Sequence, residues 1–226
     1  MIAPHPDDEV LGCGGLIQQV KRQRGKVYVL FLTIGNTKDF SHKGSSSISE
    51  REKEIKRVAS FLQFDDYDVG FTDDKYHLQL DAYGQKQVIN LIERTSSVAI
   101  EKIRPTIVAF PSEYSYNQDH QIAARATISA LRPAERTTKH FVPYVLGYEM
   151  AADAWSTTNE RMPNFFLPLD KTMLALKLKA MNLYASQVRP SPNMRSIKTI
   201  ESLARLRGAL CASDFAEAFM LYRAMA

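Results

Sequence analysis

The chain has two cysteines in 226 residues. Cys13 and Cys211 have no metal-type spacing and supply no disulfide framework, which excludes a disulfide-stapled or zinc-finger fold. In a reducing compartment both are most simply free thiols, and a cytoplasmic location is expected. No apolar run approaches the roughly 20 residues of a membrane-spanning helix, so no transmembrane segment is expected. The charge is also unremarkable. The formal net charge is +4, but lysines and arginines are mixed with acids, without a basic tract or interleaved aromatics, so nucleic acid is not an expected partner. No internal repeat or interdomain linker stands out, and Ser41 to Ser49 reads as a loop within one unit. With 45% hydrophobic residues, the composition is that of an ordinary globular chain with material for one core.

What remains is an alternation of strand and helix patterns. Val10 to Gln23 reads as a helix ended by Gly25, and Val27 to Ile34 as a strand covered on both faces. Asn36 to Ser47 is a loop. Ser49 with Glu52 offers a capping box for a helix running to about Leu62, with Ile55, Val58, Ala59 and Leu62 on one face. Val69 to Phe71 is a short strand, Val88 to Ile103 a helix stopped by Pro105, Ile107 to Pro111 a buried strand, Phe141 to Tyr148 another strand and Leu174 to Tyr184 another helix. The order predicts one α/β domain over residues 1–226, Rossmann-like and layered, with a mostly parallel sheet flanked by helices. A strand presenting His5 would need about five residues, yet three precede Pro4, so the first strand is expected to begin upstream of Met1.

The densest signal is His5-Pro6-Asp7-Asp8-Glu9, followed by Gly12, Gly14 and Gly15. Pro4 and Pro6 stiffen the backbone on both sides of His5, which suits a strand-end turn aiming a ligand and a base at one point. Far downstream, Asp119-His120 follows the strand at 107–111 and opens an apolar-periodic run. In open α/β sheets, loops beyond the carboxyl ends of strands meet at one edge. His5, Asp8 and His120 are therefore the expected metal ligands, an N, O, N set with a position left for water. Asp7, pointing away from its neighbour, is the expected general base. The glycines are expected to permit close helix packing. Their spacing is not a dinucleotide fingerprint, and the acids beside them would repel a pyrophosphate. His42, His77 and His140 have no motif context and are expected to be structural or exposed.

These motifs resemble the zinc-dependent de-N-acetylases of the PIG-L/LmbE type, whose hallmarks are a His-Pro-Asp-Asp-Glu turn and a downstream Asp-His. Glu50 to Glu54, Lys177 to Gln187, Arg205 to Gly208 and Phe215 to Phe219 are similar to later family segments in the same order. The resemblance implies zinc, or another divalent metal, and hydrolysis of the N-acetyl group of an amino sugar or its conjugate. It implies the same roles for Asp7 and Asp8, and tips Arg51 toward clamping an anionic part of the substrate. Asp73 and Asp74 are expected to bind sugar hydroxyls, and Tyr114 and Tyr116, in the second loop, to touch the substrate. The chain departs from the family at Asn117, where a histidine is common. Asn117 donates a hydrogen bond but delivers no proton, and Asp119 is expected to orient His120 or Asn117. Two other readings stay open: a catalytically impaired member that binds metal and sugar, and a non-haem iron oxygenase using the two histidines and one carboxylate.

Overall fold

The computed structural model describes residues 1–38, 44–82, 84–135, 137–155 and 162–225. His42 and most of the loop after Lys38 lie outside them. In chain order the elements are β1 (Ile2–Ala3), α1 (Asp8–Arg22), β2 (Tyr28–Thr33), β3 (Thr37–Lys38), β4 (Ser45–Ser46), α2 (Ile48–Leu62), β5 (Asp66–Phe71), α3 (Gln85–Asn90), α4 (Ile100–Ile103), β6 (Ile107–Pro111), α5 (Gln118–Ala130), β7 (Tyr144–Tyr148), β8 (Phe165–Leu169), α6 (Lys171–Leu183), α7 (Ile197–Ala209) and β9 (Phe215–Arg223). β1, β2 and β5 are parallel and ordered β1-β2-β5. The second sheet runs β6-β7-β9-β8, with β6 and β7 parallel and β9 antiparallel to both neighbours. The sheets meet where β1 packs beside β6.

The apolar run of β2 is buried on both faces, and alternate residues point to opposite sides of the sheet. Val29 and Phe31 join a core with residues of α1, α2 and α6, while Leu30 and Leu32 join a second core with Val88, Ile92 and residues of α5. This is the expected layered α/β domain. α1 lies close to the sheet because it carries glycines. A side chain at Gly12 would strike the Tyr148 ring, and one at Gly15 would strike Leu169 and Glu217. Among the described residues no helix is long and apolar enough to cross a membrane.

Two local expectations are corrected. The capping box belongs to Ser47 and Glu50, two residues earlier than Ser49 and Glu52. The Glu50 N–H donates to Ser47 Oγ at 3.3 Å, and the Ser47 N–H donates to Glu50 Oε2 at 2.8 Å. The helix expected over 88–103 is broken. A π-helical turn, Leu91–Thr95, follows α3, and the chain then leaves helical geometry until α4. The break is fixed by Asp68, whose Oδ2 accepts from Ser96 Oγ at 2.7 Å and from the Ser97 N–H at 2.9 Å. These short polar side chains offer the backbone an alternative to the helix ladder. Elements β8, α7 and β9 have no counterpart in the sequence reading.

Candidate metal centre and active site

The turn after β1 places the first half of the site. The Pro4 carbonyl accepts from the Thr33 N–H at 3.0 Å, tying the turn to β2. The His5 N–H donates to Asp8 Oδ2 at 2.8 Å, so the carboxylate of α1's first residue folds back over the turn. Asp7 is the residue that makes the bend. Its φ is 120°, a left-handed conformation that L-residues avoid, and its N–H donates to Glu9 Oε2 at 3.1 Å. Such strain costs on the order of 1–3 kcal/mol and persists only where surroundings enforce it. Here the enforcing group is Glu9, gripped on its other oxygen by the Tyr184 hydroxyl at 2.6 Å.

The second half comes from the start of α5. Asn117 caps that helix, its Oδ1 accepting from the Asp119 N–H at 2.9 Å. His120, one turn in, brings Nε2 to 3.3 Å from Asp8 Oδ2, and His5 Nδ1 lies 3.4 Å from the same oxygen. One ligand atom from each of His5, Asp8 and His120 lies within 4.8 Å of the others, and all three residues are buried. Asp8 Oδ1 and both ring nitrogens of His120 are buried without hydrogen-bond partners. Buried polar atoms left unpaired are costly, and a divalent cation bound by an N, O, N set would satisfy one nitrogen of His120 and an Asp8 oxygen, so the donor set fits zinc.

The expectation for Asp119 is corrected in part. Its backbone N–H holds Asn117, but its carboxylate turns to His5 and not to His120: His5 Nε2 is 2.9 Å from Asp119 Oδ2, and the Leu80 N–H donates to Oδ1 at 2.9 Å. This is the carboxylate–histidine pairing that orients a metal-binding imidazole and leaves its other nitrogen free for the ion. Burial opposes charge on His5, but the bonds to Asp119 and Asp8 outweigh it and raise its pKa to about 9. Cation binding must then displace a proton from His5. Asp7 is pushed up to about 6, chiefly by burial, with Arg195 opposing and Asp8 adding to the rise. Neither of its oxygens has a hydrogen-bond partner. A carboxylate of this kind is suited to accepting a proton near neutral pH.

The expected substrate contacts are placed unequally. Tyr116, 53% exposed, lines a narrow cleft with Asp8, Asn117, His120 and Arg195. Asp74 is exposed and accepts from the Asn36 N–H at 2.6 Å, and Asp73 pairs with Lys75. Arg51 is 1% exposed and lies under the motif, donating to the Pro6 carbonyl at 3.1 Å, so it is not open to the cleft. His77, expected to be merely structural or exposed, sits edge-on to His5 with ring centroids 5.3 Å apart. Burial first, then the charges of His5 and Arg51, lower its pKa to about 4. Its only sequence signal is topological, since it follows the third parallel strand at the same sheet edge. Arg195, whose Nε is 3.7 Å from Asp7 Oδ2, has no sequence signal. A separate cavity of about 540 Å³ lies at the other end of the strands, against Val27, Tyr28 and Ile107.

A family model described as PIG-L, GlcNAc-PI de-N-acetylase, matches residues 1–131. An uncharacterized deacetylase of Escherichia coli K12, YaiS, is 25% identical over 191 residues, covering 82% of this chain and 89% of that protein. The diacetylchitobiose deacetylase of Thermococcus kodakarensis is 28% identical over 197 residues, covering 82% of this chain and 68% of that protein. The crystal structure of the conserved protein TT1542 from Thermus thermophilus superposes with a TM-score of 0.74 at 23% identity, over 100% of this chain and 94% of that one, a similarity of fold.

Proposed function

This chain belongs to the PIG-L family of de-N-acetylases, and on that premise we propose that it hydrolyses the N-acetyl group of an amino sugar or amino-sugar conjugate in the cytoplasm, using zinc. The observation that carries the reading is the convergence of His5, Asp8 and His120 beside the buried carboxylate of Asp7, which accepts no hydrogen bond. His5, Asp8 and His120 are the residues that would hold the ion. A zinc ion in such a site supplies a water of lowered pKa and a Lewis acid for the carbonyl.

The protein's own groups do the rest. Asp7 takes the proton of the attacking water and returns it to the leaving amine, so one carboxylate serves as base and then acid. Asp119 keeps His5 in register. Asn117 has its carbonyl committed to the helix cap, which leaves its amide N–H₂ as the donor end; it stabilises charge but moves no proton. Tyr116 at the mouth and Asp74 on the adjoining turn contact the sugar, and Arg51 acts from beneath through Pro6.

The test is release of acetate and a free amine from N-acetylglucosamine and N,N'-diacetylchitobiose by metal-loaded protein. Activity should vanish on chelation and return with zinc. The change at Asn117 favours one other reading, a member that binds metal and sugar without turnover. Stoichiometric zinc with no acetate from either sugar would select it.

A further inference from the structure

We propose that Arg195 is a catalytic residue of this site, donating to the acyl oxygen as negative charge develops on it; this rests on the deacetylase reading above. Amide hydrolysis moves the carbonyl electron pair onto oxygen as the water oxygen bonds to carbon. The C–N bond then breaks, the oxygen regains its double bond in acetate, and the amine leaves with the proton carried by Asp7. A fixed donor at that oxygen lowers the barrier because it is in place before the charge appears.

The other cations near the cluster do not line the cleft. Arg51 is buried, with Nη2 on the Pro6 carbonyl and with Nε and Nη1 lacking hydrogen-bond partners. Lys177 is engaged with Glu217 and the Leu11 carbonyl. Arg195 alone among these lines the cleft with Asp8, His120 and Tyr116.

Its mounting is rigid. The backbone N–H donates to Asn193 Oδ1 at 2.8 Å, the carbonyl accepts from the Arg189 N–H at 3.5 Å, and the next residue, Ser196, caps α7. Nη1 donates to Gln187 Oε1 at 3.2 Å, and Gln187 is 4% exposed. Nε faces Asp7 at 3.7 Å. Nη2 takes part in none of these contacts. With Nη1 on Gln187 and Nε facing Asp7, Nη2 is the charged donor left for the acyl oxygen beside the base. This cation stands in a chain whose residue 117 is an amide where the family commonly has an imidazole.

The experiment uses zinc-loaded protein and two readouts: steady-state kinetics on diacetylchitobiose, and calorimetric binding of methylphosphonate, a tetrahedral anion. Arg195→Gln should lower kcat by about 100-fold with KM nearly unchanged, the effect of losing one such donor. Methylphosphonate affinity should fall by at least about tenfold, while zinc content and melting temperature stay at wild-type values. Arg195→Lys should recover part of both losses, because it restores the charge without the guanidinium fork. Gln187→Met, which frees the guanidinium edge, should give an intermediate loss and carries the test with Arg195→Lys if Arg195→Gln fails to fold. Wild-type kcat in Arg195→Gln, or unaltered methylphosphonate binding, overturns the proposal. If wild-type protein releases no acetate, the deacetylase reading fails instead, and methylphosphonate binding still reports whether Arg195 holds an anion there.

Discussion

The front of the chain, to about Leu131, and the back contribute to the site in different ways. The front supplies every atom that would touch an ion. His5 and Asp8 share one turn, and His120 lies at the start of α5, after β6, the strand that packs beside β1. The back supplies the clamps. The Tyr184 hydroxyl holds Glu9, Ser186 Oγ donates to Glu54 at 2.6 Å, and Arg195 faces Asp7. The deepest clamp is an ion pair, Lys177 Nζ to Glu217 Oε1 at 2.7 Å, set against α1. Glu217 accepts from the N–H groups of Gly15 and Leu16 at 2.7 and 2.8 Å, while Lys177 donates to the Leu11 carbonyl at 2.8 Å. Leu11 and Gly15 lie four residues apart on α1, so the pair grips one turn of the helix by its backbone. Chemistry is local in sequence here, and its rigidity is bought at long range.

Substitutions on the two sides should therefore fail differently. The largest effects are expected in front. His120→Ala should lose nearly all bound zinc, measured by atomic emission after dialysis, and all turnover with it. Asp7→Asn should keep its zinc and lose about 10²- to 10⁴-fold in kcat, as expected of a missing general base. Undiminished zinc in the first variant, or full activity in the second, would erase the division of labour within the front half.

In back, Lys177→Met should leave Glu217 charged and uncompensated in the core and destabilise the fold by about 3–5 kcal/mol in urea titration. Adding Glu217→Gln should recover part of that loss, because the lone charge is gone. A Lys177→Met protein of normal stability would show that the clamp is ornamental.

A smaller, pH-dependent effect belongs to the front half away from the site. Burial alone would raise the Glu93 pKa, but Arg132 at 2.9 Å and Lys139 at 2.8 Å outweigh it and hold it at about 2. Its folded pKa lies below its ordinary value of 4.5. The stabilisation is therefore complete above pH 4.5 and is lost as pH falls toward 2. Glu93→Gln should flatten the stability profile in that window. Smallest of all, Ser47→Ala should cost about 1 kcal/mol through loss of the α2 cap, and Ser49→Ala close to nothing.

That last pair shows where the sequence was readable. The ligand cluster and the parallel strands announce themselves through residue types a few positions apart: a His-Pro-Asp-Asp-Glu turn, an Asp-His after an apolar strand, continuous runs such as Val29 to Leu32. Ser47 and Ser49 present nearly the same local pattern, and only the fold decides which one caps. The break at Ser96 depends on Asp68, 28 residues away. The partner of Asp119 is 114 residues away, so its turn toward His5 leaves no local trace. Arg195 and β9 are the extreme case, since nothing near them in sequence says what they face.

The twist at Asp7 carries an evolutionary consequence. Glycine is the residue most at ease at a φ of 120°, so Asp7→Gly should relieve the turn and yield a sturdier protein with no base. On the proposed role of Asp7, drift toward greater thermal robustness at this position should yield an inert chain. If Asp7 is the base, the φ of 120° sets backbone ease against chemistry at a single residue.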